Sequence, residues 1–292
     1  MTTTERPTWV DDDLFPFQSR FIDIDGHRLH YVDEGSGPTL LFLHGNPTWS
    51  FDYSKVIQSL RTEFRCVAVD YPGFGLSSAA PGYRYLPAEH AEVIIGFVDA
   101  LELNHITMVG HDWGGPIGLA AVQRRPTAFS RLVLTNTWGW PVDDPLVQFM
   151  SHVMGSPIGR VLIRHLNLFV NVMIPVGHRL TKPTSTQMAH YRNALNSPSR
   201  RDGCAVFPRE ITSSRKFLAD VEAGLAAIAK LPTLIIWGKA DFAFGDKELK
   251  RWQEVFTGHQ TVVVEGAGHF VPSDAPEQFT AAIRAWHNLS PN

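Results

Sequence analysis

Short apolar runs that alternate with longer segments of helical character constrain the fold of this chain more than any other feature. The runs are rich in β-branched residues, and their brevity is typical of strands buried on both faces of a parallel sheet. They comprise residues 40–43, 66–69, 106–109, 132–134, 234–237 and 261–264. Helical segments at residues 88–101, 116–123 and 276–286 lie between or beyond them. The alternation predicts an α/β fold, with helices on both faces of the sheet.

Two features modify this alternation. Residues 20–24 and 28–32 flank Asp25-Gly26, which favours a tight antiparallel hairpin and brings the expected sheet to eight strands. Residues 139–215 are rich in Met, Phe, Val and His, and they show no strand pattern. We interpret them as a helical cap over the carboxyl ends of the strands, where open α/β sheets bind ligands; additional core helices are the alternative. Residues 1–138 and 216–292 would then form the two parts of the core domain.

Composition argues against several classes of function. The 292 residues are 44% hydrophobic and 19% charged, as is ordinary for a globular protein, and the net charge of -3 gives no general attraction to nucleic acid or to an anionic membrane. Two cysteines, Cys66 and Cys204, suggest a reducing compartment rather than a disulfide framework. The first seven residues lack the apolar segment of a secretory signal, and no stretch approaches the roughly 20 apolar residues of a membrane span. We therefore predict a cytoplasmic protein.

A strand, a tight turn and a helix carry the predicted chemistry. The run at residues 106–109 leads into Gly110-His111-Asp112-Trp113-Gly114-Gly115 and then into an apolar helical segment. This is the setting of the nucleophile elbow, Gly-x-Ser-x-Gly, with Asp in the serine position; an ordinary turn is the alternative. Small residues are needed there, because bulky neighbours of the strained central residue would clash with the adjoining strand and helix. At the tip, the carboxylate would lie near a helix N-terminus, whose N–H groups favour negative charge.

A carboxylate needs no base to act as a nucleophile. The ordinary pKa of Asp is about 3.9, so Asp112 is ionised at neutral pH and could displace a leaving group directly from carbon. The product of that step is an alkyl ester on the enzyme. A histidine is then required only for the second step, in which it activates water to hydrolyse the ester.

The histidine and its orienting acid are expected after later strands. His269 follows the last run by a short Gly-rich loop, which places it at the carboxyl edge of the sheet. Asp241 comes just after the preceding run, where it would fix the histidine tautomer and stabilise the imidazolium. Asp246 in the same loop is the alternative, and Asp143 and Asp144 are more distant candidates. The order of nucleophile, acid and histidine is that of the α/β hydrolases.

Over nearly its whole length the chain resembles the haloalkane dehalogenase family, whose members have the α/β-hydrolase fold. The resemblance rests on residues 15–17 and 30–35 and, most specifically, on the His-Gly-Asn-Pro-Thr-Trp-Ser segment at residues 44–50. It implies that the side-chain N–H groups of Asn46 and Trp113 hold the departing halide. Donors of this kind contribute roughly 3 kcal/mol each in oxyanion sites. It also implies that the backbone N–H groups of the same two residues stabilise the oxyanion of ester hydrolysis.

The resemblance also bears on the acid and on assembly. One branch of the family places a Glu after the sixth strand, whereas here that strand leads to Asn136. The sequence therefore resembles the branches with an Asp after the seventh strand, in agreement with Asp241. Asn46 as the second halide donor, in place of a cap Trp, is typical of the third branch, whose members tend to associate. The resemblance thus leaves a homo-oligomer open.

Three other functions are alternatives to dehalogenation of a haloalkane. His111 makes a string more typical of epoxide hydrolases, but those enzymes need two cap tyrosines, and only Tyr191 lies in the proposed cap. They also usually carry an aromatic residue where Asn46 stands. Fluoroacetate dehalogenases place an Arg where Trp113 stands, so we expect a neutral substrate. A non-catalytic scaffold that binds a small molecule is the third alternative, which measurable turnover would exclude.

The sequence thus predicts an enzyme that hydrolyses a small neutral haloalkane to alcohol, halide and a proton. Asp112 would be the nucleophile, and His269, oriented by Asp241, would activate water. No metal, organic cofactor, nucleic acid or membrane is expected to take part. The substrate would enter an apolar pocket between sheet and cap. Six residues are candidate walls of this pocket: Trp138, Phe149, Phe169, Val172, Ile174 and Phe207.

Overall fold

The computed structural model describes residues 6–289, so the first five residues, which bear on the predicted absence of a signal, lie outside the described part. Within it the sheet has eight strands: β1 (Arg20–Ile24), β2 (His27–Glu34), β3 (Thr39–Leu43), β4 (Arg65–Val69), β5 (Ile106–His111), β6 (Phe129–Thr135), β7 (Thr233–Gly238) and β8 (Gln260–Val264). Their spatial order is β1-β2-β4-β3-β5-β6-β7-β8. The strand β2 pairs antiparallel with β1 and β4, and the other neighbours pair in parallel. The predicted α/β fold with a mostly parallel eight-stranded sheet is confirmed.

Burial explains why the strands could be read from the sequence. In β5 and β7 every residue is buried, which requires a continuous apolar run, whereas the edge strand β8 is only partly buried. The first hairpin turns at Asp25 and Gly26, whose φ values of 48° and 81° both lie in the left-handed region. That backbone conformation is the reason why an Asp-Gly pair marks a tight hairpin.

Helices follow most of the strands. They are α1 (Ser54–Leu60), α2 (Pro87–Ala100), α3 (Gly114–Arg124), α4 (Pro145–Gly155), α5 (Pro157–Leu166), α6 (Ile174–Gly177), α7 (Ser185–Ala194), α8 (Asp202–Ser213), α9 (Arg215–Ile228), α10 (Asp246–Val255), α11 (Val271–Asp274) and α12 (Pro276–Leu289). The helices α2, α3 and α9 contact one another in series, and α1, α11 and α12 form a second group. Within residues 6–289 no helix combines the length and the apolar character needed to cross a membrane.

The segment between β6 and β7 begins with five helices, α4 to α8, and the described chain has no strand there. Local signals start the first two. The Asp144 carboxylate accepts the N–H groups of Leu146 and Val147, and the Ser156 hydroxyl accepts that of Gly159, each followed by a proline at the first helical position. The next helix, α9, packs on the core helix α3. Domain boundaries at residues 139 and 215 remain a prediction.

Candidate active site

Asp112 occupies the tip of a sharp bend between β5 and α3. Its φ of 50° is left-handed, which is a strained conformation for a residue other than glycine. The backbone of neighbouring strands fixes the bend, because the N–H of Asp112 donates to the Asn136 carbonyl at 3.1 Å and its carbonyl accepts the Thr137 hydroxyl at 2.6 Å. A Cβ atom at residue 114 would lie 2.0 Å from the Leu43 carbonyl oxygen, so only glycine fits beside the strand.

Two backbone N–H groups bind the Asp112 carboxylate. The N–H of Asn46 donates to Oδ1 at 2.8 Å, and the backbone N–H of Trp113 also donates to this carboxylate. Burial raises the pKa of Asp112 above the ordinary value, while the charge on His269 and these two hydrogen bonds oppose the shift. The predicted donors of an oxyanion site thus already point at the carboxylate in the resting protein.

His269 lies between two carboxylates. Its Nδ1 donates to Asp241 Oδ2 at 3.0 Å, and its Nε2 is 3.9 Å from Asp112 Oδ2, which is too long for a direct hydrogen bond. Burial by itself lowers the pKa of His269, but Asp241, followed by Asp112 and Asp52, outweighs it and raises the pKa to about 9. A pKa in this range favours the protonated imidazole at neutral pH.

Asp241, the acid that accepts the His269 hydrogen bond, is itself bound by Asn136. The Asn136 amide donates to Asp241 Oδ2 at 2.7 Å, and its oxygen accepts the Gly238 N–H at 2.8 Å, so it bridges the ends of β6 and β7. Among the alternative acids, Asp246 and Asp143 pair with surface Lys239 and Arg215. Asp144 caps α4. None of these three is hydrogen-bonded to His269. Asn136 was noted in the sequence only for lacking a carboxylate, although its place after β6 is the signal for a second orienting group.

Further buried groups hold the backbone around His269. Its N–H donates to the Gly177 carbonyl at 2.8 Å, and its carbonyl accepts His111 Nε2 at 2.9 Å. The Asp274 carboxylate accepts four backbone N–H groups, one from Gly268 and three from residues 179–181. These contacts tie the histidine loop to the segment that follows α6. Sequence reasoning did not assign a role to Asp274, because an acid that binds only backbone groups leaves no motif.

A cavity of about 510 Å³ lies between the carboxyl ends of the strands and a cover formed by α4, residues 168–173 and α8. This volume is in the usual range for small-molecule sites. Its floor includes Asn46, Asp112, Trp113 and His269, so the cavity brings together four of the five predicted reacting residues; Asp241 stands behind the histidine. Most of the remaining lining is apolar, including Leu146, Met150, Met154, Leu168, Met173 and Ile211.

Of the six candidate wall residues, Trp138, Phe169 and Val172 line this cavity. The other three expectations are wrong. Phe149 is 63% exposed, because the inward face of α4 carries residues 146, 147, 150, 151 and 154 instead. Ile174 is fully buried in the core cluster away from the lining. Phe207 packs behind the wall, with its ring 5.0 Å from that of Trp113.

Three aromatic residues of the wall are absent from the sequence prediction. Phe242 and Phe244 stand within three residues after Asp241, Phe270 follows His269, and all three line the cavity. The Phe244 ring stacks on Trp138 at 5.2 Å and lies 5.7 Å from the His269 ring. The sequence does contain a signal for Phe242 and Phe244, because residues just after β7 must lie at the same edge of the sheet as Asp241.

No tyrosine lines the cavity, and all six tyrosines of the chain lie among the described residues. Tyr191, the cap tyrosine, is buried elsewhere and donates to Asp52 Oδ1 at 3.1 Å. Among residues 6–289, therefore, no pair of phenols lines the cavity in a position to protonate an opening epoxide. This observation weighs against the epoxide hydrolase alternative.

Comparisons with known proteins agree with this geometry. Residues 38–276 match the model of a family described as the alpha/beta hydrolase fold. The chain is 44% identical over 277 residues to haloalkane dehalogenase 2 of Mycobacterium tuberculosis, covering 94% of this chain and 96% of the relative. It is 31% identical to the cis-3-alkyl-4-alkyloxetan-2-one decarboxylase of Shewanella oneidensis, covering 94% and 89% of the two chains.

Solved structures give the same result. The crystal structure of the haloalkane dehalogenase DatA from Agrobacterium tumefaciens superposes with a TM-score of 0.83 at 25% identity, covering 92% of this chain and 95% of that one. An ancestral haloalkane dehalogenase superposes with a TM-score of 0.83 at 26% identity, covering 91% and 97%.

Proposed function

This chain belongs to the haloalkane dehalogenase family of α/β-hydrolase-fold enzymes, and we propose that it hydrolyses the carbon–halogen bond of small neutral haloalkanes. The observation that carries the proposal is the position of Asp112. Its carboxylate lies on the floor of an apolar cavity, with Asn46 and Trp113 beside it and His269 at 3.9 Å. A two-step displacement at saturated carbon gives each of these groups a role.

In the first step, Asp112 displaces the halide. Oδ1 is bound by the Asn46 N–H, which leaves Oδ2 to attack the carbon atom from the side opposite the halogen. A C–O bond forms, the C–X bond breaks, and the halide leaves with the electron pair. The Asn46 amide group and the Trp113 indole N–H would bind it. The amide makes only a long bond of 3.4 Å, to the Cys204 carbonyl, so little must be broken to turn it toward a halide.

In the second step, water hydrolyses the ester. The gap of 3.9 Å between His269 Nε2 and the Asp112 oxygen is where a water molecule would be activated. The water attacks the ester carbonyl carbon and its proton passes to Nε2, while the oxyanion is held by the backbone N–H groups of Asn46 and Trp113. Collapse of this intermediate breaks the bond to the alkyl oxygen, which takes the remaining proton of the attacking water and leaves as the alcohol, and the Asp112 carboxylate is restored. The proton on Nε2 passes to solvent when the next alkylation lowers the pKa of His269.

Charge couples the two steps. His269 is protonated in the free enzyme because Asp241 and Asp112 both raise its pKa. Alkylation removes the charge of Asp112, so one of the groups that hold the proton is lost. The pKa of His269 must then fall, and the imidazole becomes a base at the stage when a base is required.

This coupling predicts two different pKa values for one histidine. Titration of His269 in the free enzyme, followed by NMR of the imidazole, should give a pKa near 9. In single turnovers, the rate of ester hydrolysis should fall at acid pH with an apparent pKa below that of the free enzyme. The reason is that the ester, unlike the Asp112 carboxylate, carries no charge. Hydrolysis should therefore be fast at pH values where the free enzyme still holds a protonated His269. Coincidence of the two pKa values would show that Asp112 does not control the base.

Removal of the proposed halide donor should slow only the first step. In Asn46→Ala the backbone N–H remains, so the oxyanion site is kept while the side-chain donor is lost. We expect the rate of alkylation by a bromoalkane to fall by about 10²–10³-fold, with ester hydrolysis nearly unchanged. Rapid-quench single turnovers measure the two steps separately. Unchanged bromoalkane turnover would rule out Asn46 as a halide donor.

The function is tested by offering 1,2-dibromoethane, 1-iodobutane and styrene oxide in parallel. Release of free halide with the first two, and no diol from the third, is the expected result. Diol formation without halide release would instead assign an epoxide hydrolase.

A second candidate function has specific support. The relative from Shewanella oneidensis is named as a decarboxylase of cis-3-alkyl-4-alkyloxetan-2-ones and matches over most of both chains. A largely apolar cavity of about 510 Å³ has room for alkyl arms on both sides of a small reacting ring. A synthetic cis-3,4-dialkyl-oxetan-2-one should therefore be included in the substrate set. Release of CO2 and an alkene from it, faster than halide from haloalkanes, would favour this function.

Three further inferences complete the proposal. Residues 139–215 form the cap, as supported by α4, residues 168–173 and α8, which line the cavity on the side opposite the strands. The protein is cytoplasmic, as supported by Cys66 and Cys204, which are both buried and free. The homo-oligomer stays a prediction, for which size-exclusion chromatography with light scattering is the direct measurement.

A further inference from the structure

The helices over the cavity carry a charge opposite to that of the rest of the chain. The proposed cap, residues 139–215, holds nine basic residues and four acidic ones, Asp143, Asp144, Asp202 and Glu210, so its net charge is +5. The whole chain has a net charge of -3, which leaves -8 for the remainder. Arg160, Arg179, Lys182 and Arg192 are exposed. The small overall charge therefore hides a strong separation of charge between two parts of the protein.

The same helices expose an unusual amount of apolar surface. On α4 the exposed side chains are Leu146, Phe149, Met150 and Val153, and on α5 they are Ile158, Val161, Leu162 and Leu166. Each set follows helical spacing and so forms one stripe along its helix. The two helices contact each other and both pack on α8, so their exposed stripes are neighbours, and the stripe of α4 borders the cavity that Leu146 and Met150 also line. We call these two stripes, with the exposed Arg160 of α5, the cap face; Arg192 lies at its edge, where it donates to Asn171 beside the cavity-lining Val172.

The cap face continues into the mouth of the cavity. Leu146, Met150, Val172 and Phe242 line the cavity and are also 43–69% exposed. An apolar substrate on the cap face could therefore enter without crossing a polar rim.

We propose that the cap face docks on the surface of an anionic phospholipid bilayer, with the mouth of the cavity toward the lipid. The apolar stripes would enter the boundary between head groups and acyl chains, and the basic side chains would pair with the head groups. The acidic remainder of the protein would face away from the bilayer. A symmetric dimer through the same face is disfavoured, because it would oppose two positively charged surfaces. Direct entry of substrate from the lipid rests on the proposed function, whereas docking does not.

Vesicle flotation without substrate tests the docking. We expect the protein to bind vesicles of phosphatidylcholine with about 30% phosphatidylglycerol at least tenfold more tightly than vesicles of phosphatidylcholine alone, and less tightly as salt is added. The double variant Ile158→Glu/Leu166→Glu should weaken binding by at least tenfold. Neither residue lines the cavity. The matched control is Val263→Glu on β8, an exposed apolar residue outside the cap face, which should bind like the unchanged protein.

Several outcomes would overturn the proposal. Absence of binding to anionic vesicles, or equal binding by the double variant, contradicts it. The proposal is also contradicted if the protein does not bind vesicles but self-associates through Ile158 and Leu166. The cap face would then be an interface between copies of the chain. Halide release from 1-iodobutane in vesicle-free buffer is measured alongside. It tests the proposed function independently and confirms that the double variant is folded.

Discussion

Replacement of His269 by Ala is expected to stop turnover after the first step and to leave the substrate covalently bound. Attack by the Asp112 carboxylate needs no base, so 1-iodobutane should still alkylate it and release one equivalent of iodide. Hydrolysis of the ester loses its base, which is expected to slow it by about 10²–10⁴-fold. Intact-protein mass spectrometry should then show the addition of one butyl group, located on Asp112 by peptide mapping.

The double variant Asp112→Asn/His269→Ala is the matched control for trapping and should show no adduct. An adduct on another residue would mean that the nucleophile has been assigned wrongly. Continued steady-state turnover by His269→Ala would remove the histidine from the mechanism. The same alkyl adduct would also show that the enzyme works by attack on carbon rather than by direct attack of water.

Replacement of Asp241 by Asn should lose most of the activity for a geometric reason as well as an electrostatic one. Asp241 Oδ1 accepts the N–H of Ala243 at 2.7 Å, and Oδ2 accepts both Asn136 and His269. An amide nitrogen at either position would face an N–H donor, so the carboxamide cannot keep all three bonds. The negative charge that raises the pKa of His269 is lost at the same time. We expect turnover to fall on the order of 10³–10⁴-fold, as when the acid of another hydrolase triad is neutralised.

Asp246→Asn is the control, because Asp246 lies in the same loop but pairs with Lys239 at the surface. Its turnover should stay within about twofold of the unchanged protein, since surface ion pairs contribute little. If turnover fell severely in Asp246→Asn and stayed nearly unchanged in Asp241→Asn, Asp246 would be the acid that orients His269. Alkylation of Asp112 should still occur in Asp241→Asn. The rate at which the alkyl ester then disappears provides a second measurement of the hydrolysis step.

Much of the candidate site could be predicted from the sequence because of where its residues stand. Asp112, Asp241 and His269 each follow a buried strand, and carboxyl ends of parallel strands meet at one edge of a sheet. A position after a strand therefore fixes a position in space to within a few ångströms. Asn136 and the two phenylalanines after Asp241 obey the same rule, so they could have been found by applying it to every strand end.

The walls of the cavity depended on information that the sequence does not contain. The helix α4 is apolar on more than one side, so its pattern does not say which side faces the cavity, and Phe149 proved to be exposed. Ile174 and Phe207 are apolar, and each is adjacent in sequence to a lining residue, Met173 or Pro208, but both pack behind the lining rather than on it. Helix rotation is decided by the fit of side chains against neighbouring helices, which is a property of the packed chain.

By itself, the sequence determined the order of strands and helices, the bend that holds Asp112, and the positions of its expected partners, because each is encoded within a few residues by strand burial, glycine and turn chemistry. Only the tertiary structure decided which acid meets His269, which side chains line the cavity, and which apolar residues of the cap stay exposed beside its mouth. These features depend on contacts between residues far apart in the chain. Their geometry follows from packing and hydrogen bonding across elements, which no local pattern specifies.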